Sequence, residues 1–316
     1  MSLVPAQGVR TIAEGLRFPE GPVYREDGSV IIVEIEMGTL TRIDGNGDRS
    51  MVAKPGDGPN GLAAGPDGSL FVCNNGGFAW TEEANGILRP IAPSADYRTG
   101  RIEKVSLETG TVETLFSECD GFALRGPNDI VFDASGGFYF TDLGKNRARD
   151  RDHGGLFYAN ADGSVVRTIA YPMLSPNGVG LSVKGDVVYV AETETGRVWA
   201  FDIAAPGEVK KQPWPSPNGG RLVCGLDGYQ RFDSLAIDSA DNICVATVGS
   251  GCISVISPTG ELLRQVGFDD PLVTNICFGG PDLRTAYVTL SGTGRLVAID
   301  WPVPGAPLNF GATAGT

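Results

Sequence analysis

The sequence predicts an all-β chain folded as a six-bladed β-propeller, and three observations support this. A polar turn followed by an apolar strand recurs six times, as "REDGSVIIVE", "GPDGSLFVCN", "DASGGFYFTD", "SVKGDVVYVAE", "DSADNICVAT" and "GPDLRTAYVT". The 45 Gly and 21 Pro are spread through the chain, as turn punctuation would be and low-complexity disorder would not. Dividing 316 residues among six copies gives about 53 per unit, close to the period of kelch-type propeller blades. A pair of β-sandwiches would not need six equivalent copies. One blade cannot bury both of its faces, so a closed ring of blades over 1–316 solves the packing and hides the strand edges.

Each unit is read in order as an inner strand, the recurring strand above, and a third strand opened by Gly. Unit one runs "EGPVY" to "GTLTRID", and unit two "NGLAA" to "GRIEKVS". Units three and four run "NDIVF" to "GGLFYAN" and "NGVGL" to "GRVWAFD". The last two run "DSLAI" to "GCISVIS" and "NICF" to "GRLVAID". The segments are short and β-branched or aromatic, with Gly, Asp, Asn and Pro at their ends. "VRTIAE", Val9 to Glu14, precedes unit one and is expected to pair into the last blade and close the ring.

Composition removes several function classes. Hydrophobic residues make up 41% of the chain, enough for a sizeable core, and the net charge is −13. Such acidity argues against nucleic acid or an anionic membrane surface as partner and is compatible with cation binding. No run approaches the ~18 apolar residues of a membrane span. The N-terminus lacks a basic segment followed by an apolar run, so a cytoplasmic protein is expected. A monomer and a dimer are both compatible with the sequence. The six cysteines form no C-x-x-C pair, and Cys73, Cys244 and Cys277 lie in strand-like runs, which reads as buried free thiols rather than a zinc site. The single histidine, His153, rules out a multi-histidine zinc site within one chain.

The starts of the six inner strands carry Glu20, Asn60, Asn128, Asn177, Asp233 and Asn275. Inner strands of a propeller run along the central axis, so these side chains should converge on one end of the channel. "NG" and "ND" are also turn signals, so a single Asn says little; recurrence at one structural position carries the argument. A ring of Glu, Asp and Asn oxygens without His or Cys suits a hard divalent cation. Calcium is favoured, with magnesium, manganese or zinc as alternatives. The expected ligands are Glu20, Asn128, Asn177 and Asp233, with Asn60 and Asn275 contacting substrate.

At these residues the sequence resembles the senescence marker protein / gluconolactonase / regucalcin family of six-bladed propellers. "PEGP" with Glu20, "PNDIVFDASGGFYFTD" with Asn128, "SPNGVGLS" with Asn177 and "DSLAIDSADNICVA" with Asp233 carry the resemblance, and "CFGG" with "AYVT" extends it. The resemblance implies one divalent metal at the channel mouth and hydrolysis of a small-molecule lactone. It implies that Glu20, Asn177 and Asp233 bind the metal, that Asn128 completes or flanks the site, and that Asp233 is the candidate general base, with a metal-activated hydroxide as the alternative. Asp233-Ser234 is closer to the drug-responsive bacterial lactonases than to sugar lactonases, many of which carry Asp-Gly; Ser234 is therefore a candidate substrate contact. Sugar lactonases often place an Arg two residues before the equivalent of Asn128. Here Arg125 lies three before it, as a further candidate for substrate contact.

Two long segments, 74–100 with Trp80 and Tyr97, and 143–155 with His153, are candidate lid loops over the site. Two other activities fit the same ring. One is hydrolysis of a phosphotriester or phosphofluoridate, which a pocket of Arg or Lys near the channel would favour. The other is calcium binding without catalysis.

Overall fold

The first four inner strands open with Pro, as "PEGP", "PNGL", "PNDI" and "PNGV". Proline has no N–H to give a ladder and is tolerated at the first residue of a strand. In the computed structural model, which describes residues 3–311, these segments are the channel-side strands of an all-β propeller of six sheets. They span Pro19–Tyr24, Pro59–Ala64, Pro127–Phe132, Pro176–Leu181, Arg231–Ile237 and Val273–Gly279.

From each inner strand the chain moves outward in antiparallel steps. Blade three illustrates the pattern, running Pro127–Phe132, Gly137–Asp142, Gly154–Asn160, Val166–Met173. Blade four splits its outer position between Glu208–Lys210 and Arg221–Gly225. Blade two carries an insertion: the hairpin Phe78–Glu82 and Leu88–Pro93 interrupts it between its second and third strands. The outer strand of blade six comes from the N-terminus, where Arg10–Glu14 pairs with Arg295–Asp300. This closes the ring as the sequence predicts. Among the described residues no helix is long and apolar enough to cross a membrane.

The core lies between blades. Phe71 and Phe132 pack edge-to-face at 4.9 Å, and Phe138 sits within 5.6 Å of Phe71 and 5.1 Å of Phe132. These rings belong to a cluster that joins blades two and three. The six cysteines are free, and all but the half-buried Cys277 are buried.

What positions the site is a backbone irregularity repeated six times. Every inner strand slips register against its neighbour near its start, between Glu20/Val23, Pro59/Leu62, Pro127/Ile130, Pro176/Val179, Phe232/Leu235 and Val273/Asn275. A bulge re-aims side chains and ends regular pairing, and here it turns the oxygen-bearing residues toward the axis. The glycine that follows several of them serves the same geometry. A Cβ on Gly178 would lie 2.7 Å from the carbonyl oxygen of Asp233, and one on Gly21 2.6 Å from that of Asn60. Only glycine lets adjacent inner strands approach so closely. The "NG" pairs are therefore bulge positions inside strands rather than turns.

Candidate metal centre and its cavity

Glu20, Asn60, Asn128, Asn177, Asp233 and Thr274 line one cavity of about 320 Å³ at the channel mouth. All except Asp233 and Thr274 follow the Pro that opens their strand, and all sit at the bulges.

Asn275 lies elsewhere, for a reason visible in the register. In blade six the slip spans a single residue, Thr274, and Asn275 returns to the ladder opposite Thr289. Thr274 thus takes the cavity-facing position. The Asn275 Nδ2 donates to Glu20 Oε2 at 2.7 Å, and the Gly21 amide donates to the same oxygen at 2.8 Å. Asn275 supports the acid from behind.

Asn177 is oriented by its neighbours. Its Nδ2 donates to Thr193 Oγ1 at 3.2 Å, while Thr193 donates to the carbonyl of Phe232 at 2.6 Å. Asn177 Oδ1 accepts a long hydrogen bond from Ser234 Oγ at 3.4 Å. Asn128 Oδ1 is buried and has no hydrogen-bond partner among the described residues. Such an orphaned acceptor costs about 1–3 kcal/mol unless something satisfies it.

The two acids are electrostatically uncomfortable. Burial raises the pKa of Glu20, against the opposing hydrogen bonds from Asn275, Gly21 and Thr274. Burial raises Asp233 well above the carboxylate range, and the charge of Glu20 pushes the same way. Just behind them, burial lifts Asp129 to about 7, with Glu20 adding to the shift. Two desolvated carboxylates and outward-turned amide oxygens fit a hard cation, which would pair both charges and satisfy Asn128 Oδ1. The set holds only two acids; no group of three or more His, Cys, Asp or Glu that could hold a metal exists among the described residues. A cation held here would need amide oxygens to complete its coordination.

The cavity walls differ in character. Phe18, Ile35, Phe78 and Leu272 form an apolar side, joined by Ala92 and Pro93 of the inserted hairpin. Across from it stand Asn146, Thr193, Glu194 and Arg231. Both candidate lid segments thus contribute wall residues. Trp80 backs this wall by packing on Phe18 at 5.0 Å and Phe78 at 5.9 Å.

The other expected contacts lie outside the cavity lining. The Arg125 residue is exposed; its amide donates to Asp142 and its carbonyl accepts from Tyr97. Ser234 is buried and gives its hydroxyl to Asn177. His153 is exposed against Tyr171.

Among the cavity residues that escaped the sequence reading are two cations, Arg231 and Lys145. Arg231 stands two before Asp233, an interval that strand alternation could have flagged. Its Nη2 donates to Glu194 at 2.9 Å, and its Nε is buried without a partner among the described residues. Lys145 gave no signal: it is one cation in a polar loop, yet only 1% exposed. Its Nζ donates to Asn75 Oδ1 at 3.2 Å and to the Gly77 carbonyl at 3.1 Å, and lies 4.1 Å from the centre of the Phe78 ring and 5.0 Å from that of Tyr97. Burial pushes its pKa down to about 7, against the pull of Asp142 and Asp152.

That shift has a measurable sign. Above about pH 7 the folded lysine sheds a proton that the unfolded chain keeps up to the ordinary lysine range. Stability therefore rises with pH in that window, by up to about 1.4 kcal/mol per unit. Lys145→Met should flatten this rise, as read from urea midpoints between about pH 7 and about pH 10. An unchanged slope would show that the folded lysine stays protonated.

The chain is an all-β ring of six blades with two buried acids and a set of amides at one mouth of its channel. Residues 18–292 match the family described as SMP-30/Gluconolactonase/LRE-like region, and the chain belongs to that family. A relative named lactonase drp35 from Staphylococcus haemolyticus is 28% identical over 255 residues, covering 80% of this chain and 70% of the relative. Another lactonase drp35, from Staphylococcus epidermidis, is 26% identical over 296 residues, covering 92% and 79%. Among solved structures, a calcium-binding protein, regucalcin, from Agrobacterium tumefaciens superposes with a TM-score of 0.75 at 16% identity, covering 100% of both chains. A gluconolactonase from Xanthomonas campestris gives 0.71 at 18%, covering 95% of this chain and 91% of that one. At these identities the structural likeness concerns the fold.

Proposed function

We propose that the protein is a metal-dependent lactonase, and that Glu20, Asn128, Asn177 and Asp233 hold a single divalent cation, calcium by the hardness of the oxygens. The observation that carries this is the burial of Glu20 and Asp233 together beside the orphaned Asn128 Oδ1. The names of the relatives point to the same reaction. When bound, the cation supplies a positive charge that polarises the ester carbonyl.

The remaining steps fall to the chain. Asp233 accepts a proton from the attacking water. Asn60 and Thr274, on the same floor, offer polar groups to the substrate. Phe18, Ile35, Phe78 and Leu272 hold the apolar part of the ring and keep bulk water from it, and segments 74–100 and 143–155 cover the cavity. The phosphoester alternative has no relative's name behind it, and Arg89 is paired with Glu83 at 2.6 Å and Arg231 Nη2 with Glu194 at 2.9 Å.

The test is acid release at constant pH from a panel of aldonolactones, dihydrocoumarin and simple γ- and δ-lactones. Protein stripped with EDTA should be inactive, and one restored cation should return activity. No acid release with any lactone and cation would overturn the proposal. Calcium should also stabilise the fold, by about 2.7 kcal/mol at a concentration a hundredfold above Kd. Thermal unfolding with EDTA and with calcium reads this directly; coincident transitions would argue that these oxygens hold no cation.

A further inference from the structure

Opening a lactone produces an alkoxide that must gain a proton, and the cavity restricts what can give it. None of the residues lining it is His, Cys or Tyr. Tyr97 donates its hydroxyl to the Arg125 carbonyl at 2.8 Å, and His153 lies outside the lining. The guanidinium groups of Arg89 and Arg231 do not release protons in this pH range. The hydroxyls of Ser175, Thr193 and Thr274 are no more acidic than the alkoxide they would serve. Lys145 is left.

We propose that Lys145 is the proton donor to the leaving oxygen of the opened ring; this rests on the lactonase reading. Its two protein acceptors, Asn75 Oδ1 and the Gly77 carbonyl, take two of the three ammonium protons. Among the described residues no carboxylate lies within ion-pair distance of Nζ, so the third proton is uncommitted. The nearest acids are occupied. Asp142 accepts the backbone amides of Arg125, Gly126 and Gly144, and Asp152 is held by Arg147. The Phe78 and Tyr97 rings fix the ammonium at the cavity wall. A lysine whose pKa falls to about 7 is matched to general acid work near neutrality.

The balance is simple. Water gives one proton to Asp233 and keeps the other on the new carboxyl group. The ring C–O bond breaks with its electron pair on oxygen, and that oxygen takes a proton from Lys145, leaving a neutral amine. The proton on Asp233 returns to Lys145 through solvent, and the product acid ionises.

Leaving-group dependence tests this, because a phenolate departs without help whereas an alkoxide does not. Dihydrocoumarin releases a phenol and δ-valerolactone an alcohol. With calcium present, Lys145→Met should lower kcat/KM for δ-valerolactone by about 10²–10⁴-fold, the usual contribution of a general acid. For dihydrocoumarin the loss should be less than about tenfold. Equal losses on both lactones would assign Lys145 a structural role and overturn the proposal, as would no loss on either. The unmodified enzyme supplies a second arm if the variant fails to fold: across lactones of rising leaving-group pKa its kcat/KM should fall shallowly, and a steep fall would count against any donor. Were the unmodified enzyme to open neither lactone, the lactonase reading itself would fail.

Discussion

Asp233→Asn is expected to lower kcat by about 10²–10⁴-fold at saturating calcium, the range that loss of a general base produces. The substitution keeps size and shape, so the cavity should persist. It removes the only cavity-floor acid besides Glu20 and leaves an amide that cannot take a proton from water. The same change should stabilise the metal-free protein. Asp233 is buried beside Glu20, and each makes ionisation of the other harder; a neutral amide removes that repulsion and the desolvation cost of one charge. With EDTA the variant should therefore melt above the wild type, whereas calcium should raise the wild type more. Turnover and thermal unfolding with and without calcium check both halves. Full kcat in the variant would remove Asp233 from the chemistry, and equal calcium shifts would remove it from the cation site.

Phe138→Ala is expected to cost about 3–5 kcal/mol, as large-to-small changes at buried aromatic positions do. Phe138 is fully buried on the second strand of blade three and touches rings on both sides of a blade interface, Phe71 on one and Phe132 and Phe140 on the other. The surrounding strands are tied by ladder hydrogen bonds and cannot collapse into the gap. Urea unfolding monitored by tryptophan fluorescence should show the midpoint fall with little change in slope. A cost below about 1 kcal/mol would mean that the interface repacks around the missing ring.

The period, blade order and N-terminal closing strand were legible in the sequence because each rests on local patterning. Alternation and turn residues mark strands wherever they occur, and an unpaired strand before unit one has one open edge to join. Positions set by backbone detail were harder to read. Asn275 occupies the same place as Asn60 in any alignment of the repeats, yet a bulge one residue shorter gives that place to Thr274. Bulge length depends on how neighbouring strands meet, which a repeat does not encode. Arg125 drew attention by its spacing from Asn128, while Arg231 reached the cavity by lying on the same strand as Asp233. Lys145 was hidden by composition, since lysines in polar loops are ordinarily solvated. What buries this one is a hairpin more than fifty residues earlier in the chain, which carries Phe78 to its ammonium.

The pairing of Arg10–Glu14 with Arg295–Asp300 sets a timetable for synthesis. The strand that completes blade six is made before blade one, and its partner only after blades one to five. The blades can form as they emerge, but until blades five and six are made Val4–Pro5 and Arg10–Glu14 have nothing to pair with and one face of blade one is uncovered. Contacts across nearly the whole sequence form late and slow the final step. A nascent chain arrested before residue 295 is an open, sticky intermediate, and synthesis of Arg295–Asp300 lets the ring close.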